Sequence, residues 1–318
     1  MHIAIVGPGA IGCLFASLLS LKKQSNKDSL LLLDHNRERA DLLNRQGIIY
    51  ETDRKQRTMV PVSAEIKSLA LKQVDVVLFC VKSHDLQSCL QFYLPLLSPQ
   101  ALLVFLQNGI GHLDIQEQLN LPTTPAFASS SEGATLLAPG HVLHAGRGRS
   151  HLGFLQSPTA LQQQQLQELA QHFHRAGLEI SLSQDIRSQL WAKLFINAGI
   201  NPLTALYNRT NGQLLTSCAA RGRLKNIVRE AEAVARACGI TINVDPLQAT
   251  LAVCKSTAKN ISSMLQDRRN RRSTEIDAIN GAVAREGKRL GIATPFNDEV
   301  VEQIKKMESE YNSGTITK

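Results

Sequence analysis

The stretch His2-Ile3-Ala4-Ile5-Val6-Gly7-Pro8-Gly9-Ala10-Ile11-Gly12 decides how the chain is read. Its first five residues are an apolar run too short for a helix and closed by glycine, the pattern of a buried strand. From Ala10 to Leu21 apolar residues recur at helical spacing. Between the two lies G-x-G-x-x-G. Strand, turn and helix in that order suit a pyrophosphate: Gly7 permits the tight turn, Gly9 lets backbone N–H groups approach the phosphates, and Gly12 lets the helix close on the strand. The helix N-terminus adds partial positive charge. The loop, with Pro8, Ala10 and Ile11 filling it out, is therefore assigned to a dinucleotide.

A second buried strand, Leu30–Leu33, follows a polar loop over Lys22–Asp28 and closes on Asp34, 22 residues past Gly12. A carboxylate there accepts the ribose 2′-OH of NAD and repels the 2′-phosphate of NADP. His35, Arg37 and Arg39 lie just beyond and could supply the positive charge a 2′-phosphate needs, so these residues leave the choice between NADP and NAD open. A helix is predicted over Arg37–Gln46, ending at Gly47. Short edge strands are expected within Ile48–Val62, then strands Val74–Val81 and Leu102–Leu106 with a helix around Leu86–Leu94 between them. This alternation predicts an α/β fold with a Rossmann-type, doubly wound parallel sheet. Short strands with Gly-rich turns occupy Ala126–Leu155. A helix over Thr159–Ala176 turns its Gln162–Gln165 face to water, and a last strand covers Leu178–Leu182. From Ser183 the periodicity is helical. The chain is thus expected to hold a dinucleotide-binding Rossmann domain at 1–183 and an all-α substrate and catalytic domain at 184–318.

Composition narrows the function classes. With 43% hydrophobic and 19% charged residues in 318, the chain is neither disordered nor a disulfide scaffold. The net charge of +8 is uneven: 15 basic against 14 acidic residues up to position 183, then 20 against 13. Such a field suits small anionic ligands. Aromatic residues make up only 4%, which offers no base-stacking surface, so no nucleic-acid partner is expected. The cluster Arg268-Arg269-Asn270-Arg271-Arg272 reads as a solvated or interdomain stretch. Six cysteines without a C-x-x-C pair argue for a reducing compartment and against a metal site. No apolar run reaches the roughly 18 residues needed to span a bilayer. A cytoplasmic protein with no membrane partner is expected.

The most informative segment of the second half is Trp191–Pro202. Lys193, Asn197 and Asn201 fall at i, i+4 and i+8, so one helix face carries an ammonium and two amides among apolar neighbours. Burial lowers a lysine pKa toward a value useful for proton donation to a forming alkoxide. Pro202 has no N–H to give, so the helix is expected to bend or stop there.

Several motifs, in order from His2 to about Asn297, together resemble those of the ketopantoate reductases (2-dehydropantoate 2-reductases). They are the Gly7–Gly12 loop, Val81-Lys82-Ser83, Leu106-Gln107-Asn108-Gly109, the Lys193 helix through Asn211-Gly212, Ser262–Asp267, Thr274-Glu275-Ile276-Asp277 and Asn280-Gly281. The resemblance implies NADPH-dependent reduction of 2-dehydropantoate to (R)-pantoate, on the way to pantothenate and coenzyme A. It maps the family's catalytic lysine to Lys193 and its glutamate to Glu275. Its substrate-binding amides map to Asn197, Asn201 and Asn211, and its substrate-contacting serine to Ser263. Asn108 matches an asparagine near nicotinamide and substrate, and Lys82 a lysine lining the cofactor cleft. Many members carry an arginine just after the second strand, where this chain has Asp34-His35-Asn36-Arg37. NADPH is still expected, with Arg37 or His35 as the substitute contact. Glu275 is expected to pair with Lys193 or the substrate hydroxyl. Proton and hydride chemistry come from lysine and coenzyme, so no metal is expected. A cleft with hinge closure follows from the two-domain reading; the oligomeric state is left open, with exposed apolar faces on the helical domain suiting a homodimer. The competing readings are a related 2-keto-acid or 3-hydroxy-acid dehydrogenase and a non-catalytic dinucleotide sensor.

Overall fold

The computed structural model describes residues 1–22, 28–66, 69–113, 115–119, 121 and 123–312. Positions 23–27 of the expected polar loop lie outside the described residues. The chain divides into two compact units. One runs from Met1 to Gln107 and resumes after Leu113 up to Ile186; the other joins Asn108–Leu113 to the chain from Arg187 onward.

The first unit alternates strand and helix. It begins with β1 (His2–Val6), α1 (Ala10–Leu21), β2 (Ser29–Leu33), α2 (Arg37–Gln46), β3 (Ile48–Thr52), β4 (Arg57–Val60) and β5 (Ser63–Glu65). Next come β6 (Val76–Phe79), α3 (Leu86–Tyr93), β7 (Leu102–Phe105), α4 (Ile115–Leu119) and β8 (Ala126–Ser130). β9 (Gly133–Ala138), β10 (His141–Gly146), β11 (Arg149–Phe154), α5 (Ala160–Arg175) and β12 (Glu179–Leu182) complete it. The main sheet has the order β12-β11-β8-β7-β6-β1-β2-β5. It is parallel from β5 through β8, after which β11 pairs antiparallel with β8 and parallel with β12. The strands nearest β1 are apolar on both faces because helices cover both, as a parallel sheet requires. Phe15 of α1 and Phe173 of α5 stack 5.1 Å apart in that core.

Two sequence expectations change here. The 48–62 strands do not edge the main sheet: β3 and β4 join β10 and β9 in a separate four-stranded sheet, and the edge strand beside β2 is β5. Nor is all of Gln162–Gln165 a wet face: Gln164 is exposed, but Gln162 and Gln165 are buried. Gln162 closes a capping box with Thr159 and donates to the Thr124 carbonyl at 3.0 Å. Gln165 donates to the carbonyls of Asp75 and Gln100 at 3.1 and 3.0 Å. Amides reaching loop carbonyls satisfy groups that burial would otherwise orphan.

The second unit is helical: α6 (Ile186–Tyr207), α7 (Cys218–Ala237), α8 (Pro246–Ser256), α9 (Ser263–Arg269), α10 (Asn280–Leu290) and α11 (Pro295–Asn312). α6 neither stops nor is interrupted at Pro202. Pro202 cannot donate to the Ala198 carbonyl one turn earlier. The fully buried Asn280 does so instead, its Nδ2 lying 3.1 Å from that oxygen. The same Nδ2 reaches Asn297 Oδ1 at 3.0 Å, and Asn297 Nδ2 donates to Ile227 O and Glu230. Asn280→Ala strips both acceptors of a buried donor and should cost about 2–4 kcal/mol. Denaturant unfolding checks this, and an unchanged midpoint would remove Asn280 from the account. Farther along, at the C-terminal end of α6, Arg268 donates to the carbonyls of Ala205 and Leu206, and Arg269 to Asn208. Two members of the arginine cluster thus satisfy a helix terminus and its following turn. Among the described residues no helix is long and apolar enough to cross a membrane.

Candidate active site

In the first unit, Gly7 N donates to Leu33 O at 2.9 Å and Cys80 N to Val6 O at 2.8 Å, which ties the loop to the strands on both sides of β1. Gly9 caps α1 without any side-chain acceptor for the first-turn N–H groups. A Cβ placed on Gly9 would meet no described residue within 4 Å, whereas one on Gly12 would lie 2.1 Å from Gly7 O. The loop therefore has uncapped donors and open space where an anion would sit, and closes tightly where helix meets strand. That fits a dinucleotide pyrophosphate. Lys82 is half-buried just past Val81, which packs against Gly7. Asp34 lies at the end of β2 with its carboxylate fully buried. Arg39 grips both of its oxygens, and Asn36 N donates to Oδ1 at 3.0 Å. Of the two substitutes expected for the family's arginine, His35 is 84% exposed and 3.7 Å from Asp34. Arg37 is exposed and lines a cavity with Ala40, Asn44 and Glu65.

In the second unit, three chain segments meet. Lys193 Nζ donates to Asn108 Oδ1 at 2.8 Å, and Asn108 Nδ2 donates to Glu275 Oε2 at 2.7 Å. One amide therefore joins ammonium to carboxylate, a relay that the expected pairing of Glu275 with Lys193 did not include. The 108–113 segment is held in place by Ile110 N donating to Ala278 O at 3.0 Å. Gly109 (φ +81°) approaches so closely that a Cβ there would fall 2.0 Å from Ala278 O. Only glycine fits at that conformation and distance. Burial pushes the Lys193 ammonium down to about 8, against the opposing pull of the Glu275 charge. Its neighbour His112 is buried and held neutral, pushed down to about 3 by burial and then by the Lys193 charge. His112 had no sequence signal, since a lone histidine in a glycine-containing loop has neither spacing nor a partner pattern.

The remaining sequence-expected residues take varied places. Asn197 is half-buried and Asn201 buried on α6, each one turn from the next, and neither side chain makes a hydrogen bond among the described residues. Asn211 donates to Thr257 Oγ1 at 2.8 Å, and its buried Oδ1 has no donor among the described residues. Ser263 is exposed at the start of α9. Its neighbour Ser262 caps that helix and bonds Thr204 Oγ1 of α6 at 2.6 Å. Chemically, an ammonium with a pKa near 8 can give a proton at neutral pH, and the neighbouring amides can hold a small polar acid. Among the described residues no group of three or more His, Cys, Asp or Glu side chains gathers as a metal site.

A glycine loop suited to a dinucleotide, and a desolvated lysine linked through an amide to a carboxylate, are features that an oxidoreductase of the nicotinamide dinucleotide class uses. Residues 3–157 match the ketopantoate reductase PanE/ApbA family and residues 185–308 its C-terminal region. The chain is 31% identical over 317 residues to a 2-dehydropantoate 2-reductase of Vibrio cholerae serotype O1, covering 98% of this chain and 99% of that one. The chain belongs to the ketopantoate reductase family. Its fold is similar to that of a PanE/ApbA family ketopantoate reductase from Ralstonia eutropha JMP134 (TM-score 0.87, 30% identity, 98% of this chain and 100% of that one). It is also similar to D-mandelate dehydrogenase solved with NADH and anilino(oxo)acetate (TM-score 0.86, 27% identity, 98% and 100%).

Proposed function

We propose that the protein reduces 2-dehydropantoate to (R)-pantoate with NADPH, the first unit binding the dinucleotide and the helical unit supplying the acid. The observation that carries this reading is the Lys193–Asn108–Glu275 relay together with the depressed pKa of Lys193. The coenzyme, when bound, supplies a hydride to the substrate carbonyl. Lys193 gives its proton to the oxygen that becomes the hydroxyl, and its charge stabilises that oxygen as it turns anionic. Asn108 aims the ammonium. Glu275 orients Asn108 and favours the protonated lysine. Asn197, Asn201, Asn211 and Ser263 hold the carboxylate and hydroxyl of the acid with neutral donors. The product belongs to the route to pantothenate and coenzyme A, which places the reaction in the cytoplasm, and the helical unit suits a homodimer.

The direction of the Lys193 shift sets a pH dependence. The acid must be protonated for reduction, so kcat/KM should be level below pH 8 and fall about tenfold per unit above it. Oxidation of the hydroxy acid needs the free amine and should show the opposite slope. A reduction profile flat from pH 7 to 10 would contradict Lys193 as donor.

The mandelate dehydrogenase likeness favours a second reading in which another 2-keto acid is reduced with NADH. Comparing kcat/KM for 2-dehydropantoate and for phenylglyoxylate, each with NADPH and NADH, separates the two. A preference for phenylglyoxylate with NADH would replace the first reading with the second.

A further inference from the structure

Asp34 occupies the position from which a carboxylate reads the ribose 2′-hydroxyl of NAD, yet it is not presented to a ligand. Its side chain is fully buried, and the Arg39 guanidinium spans both carboxylate oxygens through Nε and Nη2. With Asn36 N on Oδ1, three hydrogen bonds already engage the carboxylate. Arg39 is half-exposed, and its remaining three N–H donors have no acceptor among the described residues. The pair lies beside the glycine loop, because Leu33, the residue before Asp34, accepts the Gly7 amide.

We propose that Arg39, not His35 or Arg37, determines which nicotinamide dinucleotide is taken: it cancels the carboxylate that would repel a 2′-phosphate and turns its free donors to that phosphate. The proposal rests on the dinucleotide reading of the glycine loop and adds the residue that sets coenzyme choice. A neutral Asp34–Arg39 pair removes the usual penalty against a 2′-phosphate, and guanidinium geometry matches phosphate oxygens. His35 is nearly fully exposed, and no partner among the described residues orients the Arg37 guanidinium, so neither is pre-organised in this way.

The test is calorimetric titration of the full chain with 2′,5′-ADP and with 5′-ADP, which needs no turnover. The wild type should bind 2′,5′-ADP more tightly than 5′-ADP. Arg39→Ala removes the cation and uncovers Asp34, so 2′,5′-ADP affinity should fall about 10- to 100-fold while 5′-ADP stays within about threefold. Arg39→Ala weakening both nucleotides equally would overturn the proposal. Asp34→Asn is an independent variant. It should leave 5′-ADP affinity unchanged, because the carboxylate does not read the ribose. A loss of tenfold or more in 5′-ADP binding there would show that Asp34 does, and would overturn the proposal while leaving the dinucleotide site intact. A wild type that binds neither nucleotide would instead remove the dinucleotide reading itself.

Discussion

Lys193→Ala is expected to lower kcat/KM for keto-acid reduction by at least the ~10²–10⁴-fold that a lost general acid costs, with nucleotide affinity unchanged. The size follows from the two roles proposed for one group, proton transfer and stabilisation of negative charge at the carbonyl oxygen. Stability should not suffer. Folding lowers the Lys193 pKa from 10.5 to about 8, so the charged form is disfavoured in the native state. That unfavourable contribution is fully present below pH 8 and fades as pH rises toward 10.5. Removing the ammonium should therefore hold or raise the thermal midpoint at pH 7. Asn108→Ala leaves the ammonium in place without its acceptor, and its loss of activity should be smaller. Steady-state kinetics with a melting curve for each variant read both effects. Wild-type turnover in Lys193→Ala would take the residue out of the chemistry.

Gly12→Ala is expected to abolish measurable dinucleotide binding and to destabilise the first unit. A Cβ there would stand 2.1 Å from Gly7 O, a backbone atom that moves only if the loop moves with it. Overpacking of this kind costs roughly 1–3 kcal/mol, and the displaced loop no longer aims its N–H groups at a pyrophosphate. Gly9→Ala is the informative contrast, since its Cβ meets no protein atom within 4 Å. It should keep wild-type stability yet weaken nucleotide binding, because the space it fills is where backbone and phosphate approach. Calorimetry and thermal melting of the pair separate the effects. Unimpaired dinucleotide binding by Gly12→Ala would mean that the loop is not the phosphate site.

Local signals made much of this legible from sequence. The strand–glycine–helix order and the end of α2 at Gly47 depend on near neighbours, and the structure places β1, α1 and α2 where the sequence put them. What sequence could not show were contacts across long separations. Gln165 looks solvated until it reaches the carbonyls of Asp75 and Gln100. Pro202 looks like a helix end until Asn280, 82 positions from Ala198, supplies the missing donor. Lys193, Asn108 and Glu275 each carry a sequence signal of their own. Their order, amide between ammonium and carboxylate, joins residues 85 and 167 positions apart and has no sequence signature. The Asp34–Arg39 clasp spans only five positions, but a turn can leave such a pair open or closed, and only the folded structure shows it closed.

The most direct test of the reaction is isotope transfer. The enzyme would be incubated with NADPH carrying deuterium at both C4 positions of the dihydronicotinamide and with 2-dehydropantoate, and the product analysed by mass spectrometry. Direct hydride transfer predicts pantoate carrying one deuterium at C2 for each coenzyme oxidised. Pantoate without deuterium, or no pantoate formed, would contradict it.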